Sequence, residues 1–511
     1  MQPTASSSDG IVELAEYPFG SPYFSPDLAP VNRAGRRWGM KDIAVLWISM
    51  SACIPTYMLA SSLIDGGMNW WQAVLTIFLG NIIVLVPMIL NAHAGTKYGI
   101  PFPVYCRPSF GLLGANIPAL LRALVACGWF GIQAWIGGGA LYRIGTVFFP
   151  QWEQLPKLFA DPSVHFAGVN AAELACFFVF WLINIWVIYK GIESIRILLN
   201  FKAPLLILLG LAFLTWAYVR ANGFGEMLSK PSEFSDGGAK AGQFWAFFFP
   251  ALTANVGFWA TLSLNIPDFS RYAYSQRDQA WGQALGLPTT MGLFSFIGVA
   301  VTSATAVIYG KPEWDPVVAL SRFTNPVVLI FAMASLCLAT LATNIAANVV
   351  SPANDFAHLW PRVINFRIGG FITGIIGILM QPWKLIADPT GYIFRWLVAY
   401  SALLGAVGGV LIADYFVIRH ARLDQAGLYR KHGPYWYRGG FNPLAVVALL
   451  AGIAPCVPGF LATVNEKIQL PAIWTDLYHY AWFISFGISF ALYIVLMMLF
   501  SRNNLAANER R

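Results

Sequence analysis

The stretch SMSACIPTYM, residues 49–58, interrupts the first long apolar segment of this chain and decides how its fold is interpreted. Pro55 stands inside a run long enough to cross a bilayer, and a proline removes a backbone donor and clashes with the preceding helical turn. A second interruption, FFPALTANVGFW at 248–259, contains Pro250 and Gly257. Backbone groups released in lipid must bond to protein, solute or ion. The two breaks therefore predict a solute or ion site, with ordinary proline kinks as the alternative.

The composition indicates that most of the chain lies within a lipid bilayer. Of its 511 residues, 57% are hydrophobic and only 11% are charged, whereas about 25% of the residues in a soluble domain are charged. Apolar runs of about 20 residues can span a bilayer, and they predict an all-α integral membrane protein with about twelve transmembrane helices. The runs lie near 43–65, 70–92, 115–142, 171–190, 200–220, 244–265, 284–308, 325–350, 367–383, 391–417, 441–463 and 477–500.

Topology explains the net charge of +8 better than nucleic-acid binding does. Lys and Arg concentrate in the loops that lie on the same face of the membrane as the N-terminus. The positive-inside rule then predicts a multi-pass plasma (inner) membrane protein with both termini cytoplasmic. Residues 1–40 are polar, which predicts a partly disordered cytoplasmic tail rather than a targeting peptide. The six cysteines form no CxxC pair, so we expect no disulfide framework, zinc site or other cofactor.

The two broken helices also predict the domain organisation. They are the first and sixth spans, and a separation of five is typical of two five-helix repeats of inverted topology. We expect the repeats at 41–220 and 244–420, helices 11 and 12 within 421–500, and a cytoplasmic tail at 501–511. The stretch at 95–111 is too short and too rich in Gly and Pro to span, and we interpret it as a re-entrant or cytoplasmic hairpin.

Polar and aromatic residues next to the breaks are the candidate site. Trp129 and Gln133 are four apart on the third span and share a face. The carboxamide offers donors and an acceptor, and the indole offers a flat stacking surface. Phe258 and Trp259 follow the second break. For each of these residues the alternative is ordinary helix packing or a bond to a neighbouring helix.

The eighth span carries a polar stripe. Thr340, Asn344 and Asn348 are successive i+4 positions, and such side chains usually face a bundle interior or a cavity. Asn348 is a second candidate for paired hydrogen bonds, and Thr343 on the adjoining face is a candidate ligand for a hard cation. Except for Arg122, charged residues are absent from the middles of the spans, which predicts a neutral, flat, polar solute and leaves no obvious buried proton carrier.

Other classes of membrane protein fit less well. An enzyme would need a nucleophile with its base, or a metal cluster, within the spans, and the sequence offers neither. A channel would need a continuous polar lining, whereas only the eighth span has a polar stripe. A non-transporting sensor on the same fold remains an alternative that a measurement of flux would separate from a carrier.

Several motifs together resemble the nucleobase–cation symporter family 1, which includes uracil, cytosine, allantoin and hydantoin permeases, and within it the plastid-type nucleobase transporters. They are PTYMLASSLIDGGMNWWQ, GTKYGIPFPV, GANIPALLRALVACGWFGIQAWIGG, FWATLSLNIPDFSRYA, ATNIAANVVSPA and LIADYFVIR. The resemblance covers about residues 30–500. It implies the five-plus-five inverted repeat, alternating access and symport with a cation. It also implies that Trp129 and Trp259 sandwich the substrate ring while Gln133 and Asn348 bond to its edges.

Two departures from the family pattern bear on substrate and ion. Phe258 stands where the family's hydantoin transporter has glycine, which implies a narrower pocket and a small ring such as uracil, with an allantoin or hydantoin permease as the alternative. Tyr400 is a gate candidate.

The cation site also lacks one of its two hydroxyl ligands, so the coupling ion is a weakly held Na⁺ or a proton. The matching cation-site positions are Ser49, Ala52, Ala339, Ala342 and Thr343. We expect a monomer whose partners are a nucleobase or ureide substrate and the bilayer.

Overall fold

The computed structural model describes residues 10–508 except 15, 159–167, 191, 390 and 466. Its first half contains α1 (Met40–Ser51), α2 (Ile54–Asp65), α3 (Trp70–Tyr98), α4 (Phe102–Tyr105), α5 (Arg107–Phe110), α6 (Asn116–Phe148), α7 (Ala171–Lys190), α8 (Ile192–Arg220) and α9 (Phe224–Ser229). The short strands β1 (Lys157–Leu158) and β2 (Val169–Asn170) pair antiparallel between α6 and α7.

The second half contains α10 (Phe244–Phe258), α11 (Ala260–Asn265), α12 (Pro267–Ser270), α13 (Gln276–Tyr309), α14 (Pro316–Ser321), α15 (Pro326–Asn348), α16 (Val350–Leu359), α17 (Phe366–Leu379), α18 (Pro382–Leu385) and α19 (Val398–Ile412). It ends with α20 (Pro443–Ile453), α21 (Val457–Val464), α22 (Ala472–His479) and α23 (Ala481–Asn508). Single π-helical segments, Gly391–Leu397 and Ala413–Ile418, flank α19 on both sides.

The helices follow the predicted apolar runs. Within the described residues, eight helices are long and apolar enough to cross a membrane, one bent pair of helices would make a ninth span, and three further apolar helices are shorter. The observed helix ends differ from the predicted ones where a helix continues beyond its apolar run into more polar sequence. For example, α6 continues to Phe148 and the eighth span continues through α16 to Leu359.

The first span breaks before its proline. The α1 helix ends at Ser51, Ala52 and Cys53 are not helical, and α2 is bent 57° from α1. Pro55 lies in the first turn of α2, where a missing N–H costs no hydrogen bond because that donor has no helical acceptor. The carbonyls at the end of α1 lose their helical donors in the same way, and the Thr56 hydroxyl donates to the carbonyl oxygen of Ser51 at 2.8 Å.

In the sixth span the helix breaks at the end of the predicted interval 248–259 and not at its proline. Pro250 lies inside a continuous α10, and the helix ends at Phe258, with Trp259 at the junction to α11. A helix can absorb a proline when neighbouring groups satisfy the freed carbonyl. The eighth span has a similar junction that the sequence analysis missed, because Val349 separates α15 from α16.

The spans form two packed groups and a C-terminal layer. The broken-helix group consists of α1–α3 and α10–α13, and the opposing group consists of α6, α7 and α15–α17. Glycines allow the closest approaches within each group: a Cβ on Gly131 of α6 would lie 2.3 Å from the carbonyl oxygen of Gly377 on α17. The α20 and α23 helices pack on α19, where a Cβ on Gly409 would lie 2.4 Å from the Phe486 carbonyl oxygen.

The segment at 95–111 and the N-terminal tail both fold against the helices. The short helices α4 and α5 are buried, and the Phe102 amide donates to the Asp268 carboxylate at 2.9 Å. Leu28 is fully buried, and Tyr429 donates to its carbonyl oxygen at 2.9 Å. The tail is predicted to be partly disordered; within it, residues 16–39 pack on the protein, and residues 1–9 lie outside the described residues.

Candidate functional site

The breaks in the first, sixth and eighth spans meet at one buried cavity of about 30 Å³. All five residues predicted to bind substrate line it: Trp129, Gln133, Phe258, Trp259 and Asn348. Among the described residues, none that lines this cavity is charged, which suits a neutral solute. The remaining lining residues are Met50, Cys53, Pro55, Thr261, Leu262, Thr343 and Ala347.

Phe258 contacts both tryptophans of the cavity. Its ring contacts Trp129 edge-on, with centroids 5.2 Å apart at 75°, and contacts Trp259 at 5.0 Å and 82°. The cavity volume left beside these three rings is enough for one or two water molecules but not for a heterocycle. A ring can therefore enter between the tryptophans only if Phe258 turns aside or α10 and α11 move.

A second set of aromatic rings covers Trp129 from the side of α19. Tyr392 and Trp396, both on the π-helical segment Gly391–Leu397, contact the Trp129 ring at 6.2 and 5.9 Å. The Tyr392 hydroxyl donates to the Pro55 carbonyl oxygen at 3.3 Å and so ties this segment to α2. The predicted gate residue, Tyr400, is buried and accepts a hydrogen bond from the Trp129 indole at 3.3 Å.

Two polar atoms of the site have no partner among the described residues. They are the carboxamide oxygen of Gln133, a residue only 4% exposed, and the indole nitrogen of Trp259, which is 3% exposed. A buried donor or acceptor without a partner costs about 1–3 kcal/mol, so such atoms suggest a ligand. One is an acceptor and the other a donor, which matches a solute that carries both N–H and C=O groups.

Asn348 is held by a chain of asparagines that the sequence analysis recognised only in part. Its side-chain amide donates to Asn344 at 3.0 Å, and Asn344 donates to Asn184 on α7 at 3.1 Å. Asn344 also donates to the Phe130 carbonyl oxygen at 3.2 Å, and Asn184 donates to that of Phe180 at 2.8 Å. Both carbonyls only accept, so they fix which end of each amide faces its neighbour. The sequence feature that could have revealed this support is Asn184, the one asparagine in the apolar helix α7.

Three of the five predicted cation positions, Ala52, Ala339 and Thr343, lie close together. Ala52 and Ala339 pack in one small apolar cluster with Phe294. The Thr343 hydroxyl donates to the Ala339 carbonyl oxygen at 2.9 Å and Thr343 also lines the cavity. Ser49 on α1 and Ala342 on α15 are also buried. Ala342 has no side-chain oxygen, whereas the family pattern implied by the resemblance has a hydroxyl at this position.

One buried carboxylate lies beyond the end of the predicted eighth span. Arg122 on α6 forms an ion pair with Asp355 on α16 at 3.2 Å, and both side chains are fully buried. The predicted eighth span ended at residue 350, so the sequence analysis placed Asp355 in a loop. Because α16 carries the helix on to Leu359, this carboxylate faces the basic residue of the third span inside the protein.

Comparisons with known proteins identify the family of this chain. Residues 30–485 match the family of permeases for cytosine and purines, uracil, thiamine and allantoin. This chain belongs to the nucleobase–cation symporter family 1. A purine-uracil permease of Arabidopsis thaliana is 43% identical, over 98% of this chain and 83% of its own length. An allantoin permease of Bacillus subtilis is 39% identical over 94% of both chains.

A solved structure shares the fold. It is a transporter of the nucleobase–cation symporter family 1 in a closed conformation with bromovinylhydantoin bound. It has 25% sequence identity and a TM-score of 0.75, and the match covers 94% of this chain and 96% of that one. The protein therefore has the inverted-repeat fold of this family, and it is a multi-pass membrane transporter.

Proposed function

We propose that the protein imports a small neutral nucleobase, uracil in the first place, by cation symport and alternating access. The observation that carries the proposal is the buried, uncharged cavity in which Gln133 and Trp259 hold an acceptor and a donor without partners. A planar ring stacked between Trp129 and Trp259 would gain about 0.5–1.5 kcal/mol from each aromatic face beyond the burial of its area. Gln133 and Asn348 would then bond to opposite edges of the ring.

Symport requires that cation and substrate favour the same conformational state. We propose that Na⁺ or H⁺ is the coupling ion, and that a bound Na⁺ would contact Ser49, Ala52, Ala339 and the Thr343 hydroxyl. Thr343 links this region to the substrate cavity because it belongs to both.

We further propose repeats at 41–220 and 244–420, with helices 11 and 12 added after them. We propose that the protein is a monomer in the plasma membrane and that both of its termini are cytoplasmic.

A second candidate is allantoin, as the names of several relatives suggest, or a hydantoin such as the one bound in the solved structure. The experiment that separates the two is uptake of radiolabelled uracil, with Na⁺ present or replaced by choline, in cells that express the protein. Competitors are allantoin, hydantoins, adenine, guanine and cytosine. Saturable uracil uptake blocked only by nucleobases supports the proposal. Allantoin or hydantoin uptake without uracil uptake contradicts it, and binding without any flux identifies a sensor.

Phe258→Gly is expected to widen substrate selection. Removing the ring opens the space between the two tryptophans, so a hydantoin with a bulky substituent should compete with uracil at least about tenfold better, about 1.4 kcal/mol in affinity. Competition of unlabelled hydantoins against labelled uracil measures this change. Phe296→Gly is a control, because Phe296 packs against Trp70 and Phe224 and does not line the cavity. An unchanged order of competitors in Phe258→Gly would show that Phe258 does not limit the pocket.

A further inference from the structure

One side chain joins the two helical groups on one side of the substrate cavity. Asn265, fully buried at the end of α11, belongs to the broken-helix group and reaches the opposing group. Its neighbours decide the orientation of its amide. The Thr261 carbonyl oxygen can only accept and the Arg122 guanidinium can only donate. The amide nitrogen therefore donates to Thr261 at 2.6 Å, and the amide oxygen accepts from Arg122 at 3.1 Å and from the Ser351 hydroxyl.

The partners of Asn265 form a fixed part of the opposing group. Arg122 and Asp355 connect α6 to α16 through their buried ion pair, and Ser351 lies on the first turn of α16. The contact between Asn265 and these residues crosses from one group to the other. Any relative movement of the groups at this end of the protein must break it.

The same three helical segments supply both this contact and the substrate site. Arg122 precedes Trp129 by two helical turns, about 10 Å along α6. Asn265 follows Trp259 on α11, and Ser351 follows Asn348 across the junction between α15 and α16. All three segments lead from the cavity toward the end of the bundle at which α6 begins, the end that charge distribution predicts to be cytoplasmic.

We propose that Asn265 is the cytoplasmic latch of the transport cycle: its amide docks on Arg122 and Ser351 and holds the inner pathway closed. The proposal rests on the proposed transport function. Thr261 lines the substrate cavity and also carries the carbonyl that orients Asn265. A shift of α11 caused by a ring bound against Trp259 is therefore transmitted directly to the latch.

The chemistry of the latch explains how it can close firmly and open again. In the dry interior a hydrogen bond to a charged group is stronger than one between neutral groups. When the pathway opens, water hydrates the Arg122 guanidinium and the Asn265 amide and offsets most of that loss. An apolar contact in the same place would lack this compensation, because water solvates exposed apolar surface poorly.

Access of reagents to the cavity tests the latch without any substrate. Cys53 lines the cavity, and a protein that retains it as its one cysteine can be modified with a cationic, membrane-impermeant methanethiosulfonate. Inside-out vesicles report access from the cytoplasmic face, and intact cells report access from outside. Asn265→Ala is expected to raise the rate of Cys53 modification from the cytoplasmic face about tenfold and to lower the rate from outside.

Two further variants separate a latch from general loosening. Ser351→Ala removes one donor and is expected to shift both rates in the same directions, about threefold. Asn255→Ala is the matched control, because Asn255 is a buried asparagine that donates to the Ala251 carbonyl oxygen within its own helix. It should leave both rates unchanged.

Rates in Asn265→Ala that equal those of the parent, or that rise equally from both faces, would overturn the proposal. Ala347→Cys, also in the cavity wall, is a second reporter, so low reactivity of Cys53 alone does not decide the result. Since no substrate is used, failure of uracil uptake would refute the proposed function and leave the latch measurement intact.

Discussion

Gln133→Leu is expected to abolish uptake while leaving the melting temperature of the detergent-solubilised protein unchanged or raised. The Gln133 carboxamide oxygen has no partner among the described residues, so its removal takes away an unsatisfied buried acceptor rather than a bond that stabilises the fold. The transported base loses one of its two hydrogen-bonding edges. We expect the ratio kcat/KM to fall by at least about 100-fold, about 2.7 kcal/mol in transition-state stabilisation.

Asn348→Ala should abolish uptake as well, but with a lower melting temperature. Its amide donates to Asn344, and truncation leaves that acceptor buried without its donor, at a cost of about 1–3 kcal/mol. The difference in melting temperature between the two variants separates Gln133, whose carboxamide oxygen has no protein partner among the described residues, from Asn348, which also belongs to a hydrogen-bonded network. Asn81→Ala is a control: Asn81 is buried on α3 and donates to the Ile77 carbonyl oxygen of its own helix. Normal uptake by both site variants would refute the site assignment.

The second large effect is expected at the buried ion pair. Arg122→Leu leaves the Asp355 carboxylate fully buried without its partner, and breaking one side of such a pair typically costs about 3–5 kcal/mol. We expect little folded protein in the membrane, and a clearly lower melting temperature for the fraction that folds. Fluorescence-detected size-exclusion chromatography after heating measures both quantities.

The double variant Arg122→Met/Asp355→Leu is expected to recover most of this loss, since an apolar pair of similar volume often replaces a buried ion pair without loss of stability. Arg143→Leu is the matched control, because Arg143 pairs with Glu153 at 2.9 Å but both are partly exposed. Such a pair contributes about 0–1 kcal/mol. Equal destabilisation in Arg122→Leu and Arg143→Leu would show that burial of the pair is not what makes it important.

Much of the site could be predicted from the sequence because the bilayer restricts the choices. A chain in lipid must satisfy its backbone within helices, so each polar residue in an apolar run needs a reason. Trp129, Gln133 and Asn348 stood out for that reason, and all of them line the cavity. Helical periodicity placed Trp129 and Gln133 on one face without knowledge of any neighbouring helix.

The sequence alone therefore determined the class of protein and the approximate spans, since length, hydropathy and period are local properties of the chain. Together with the family resemblance, it also indicated five of the residues that line the cavity. Only the tertiary structure decided that Phe258 contacts both tryptophans, that Asn184 supports Asn348 and that Asp355 faces Arg122. Each of these is a contact between segments far apart in sequence. Its existence depends on how helices cross and where a helix ends, which the packing of the two helical groups fixes and no local pattern encodes.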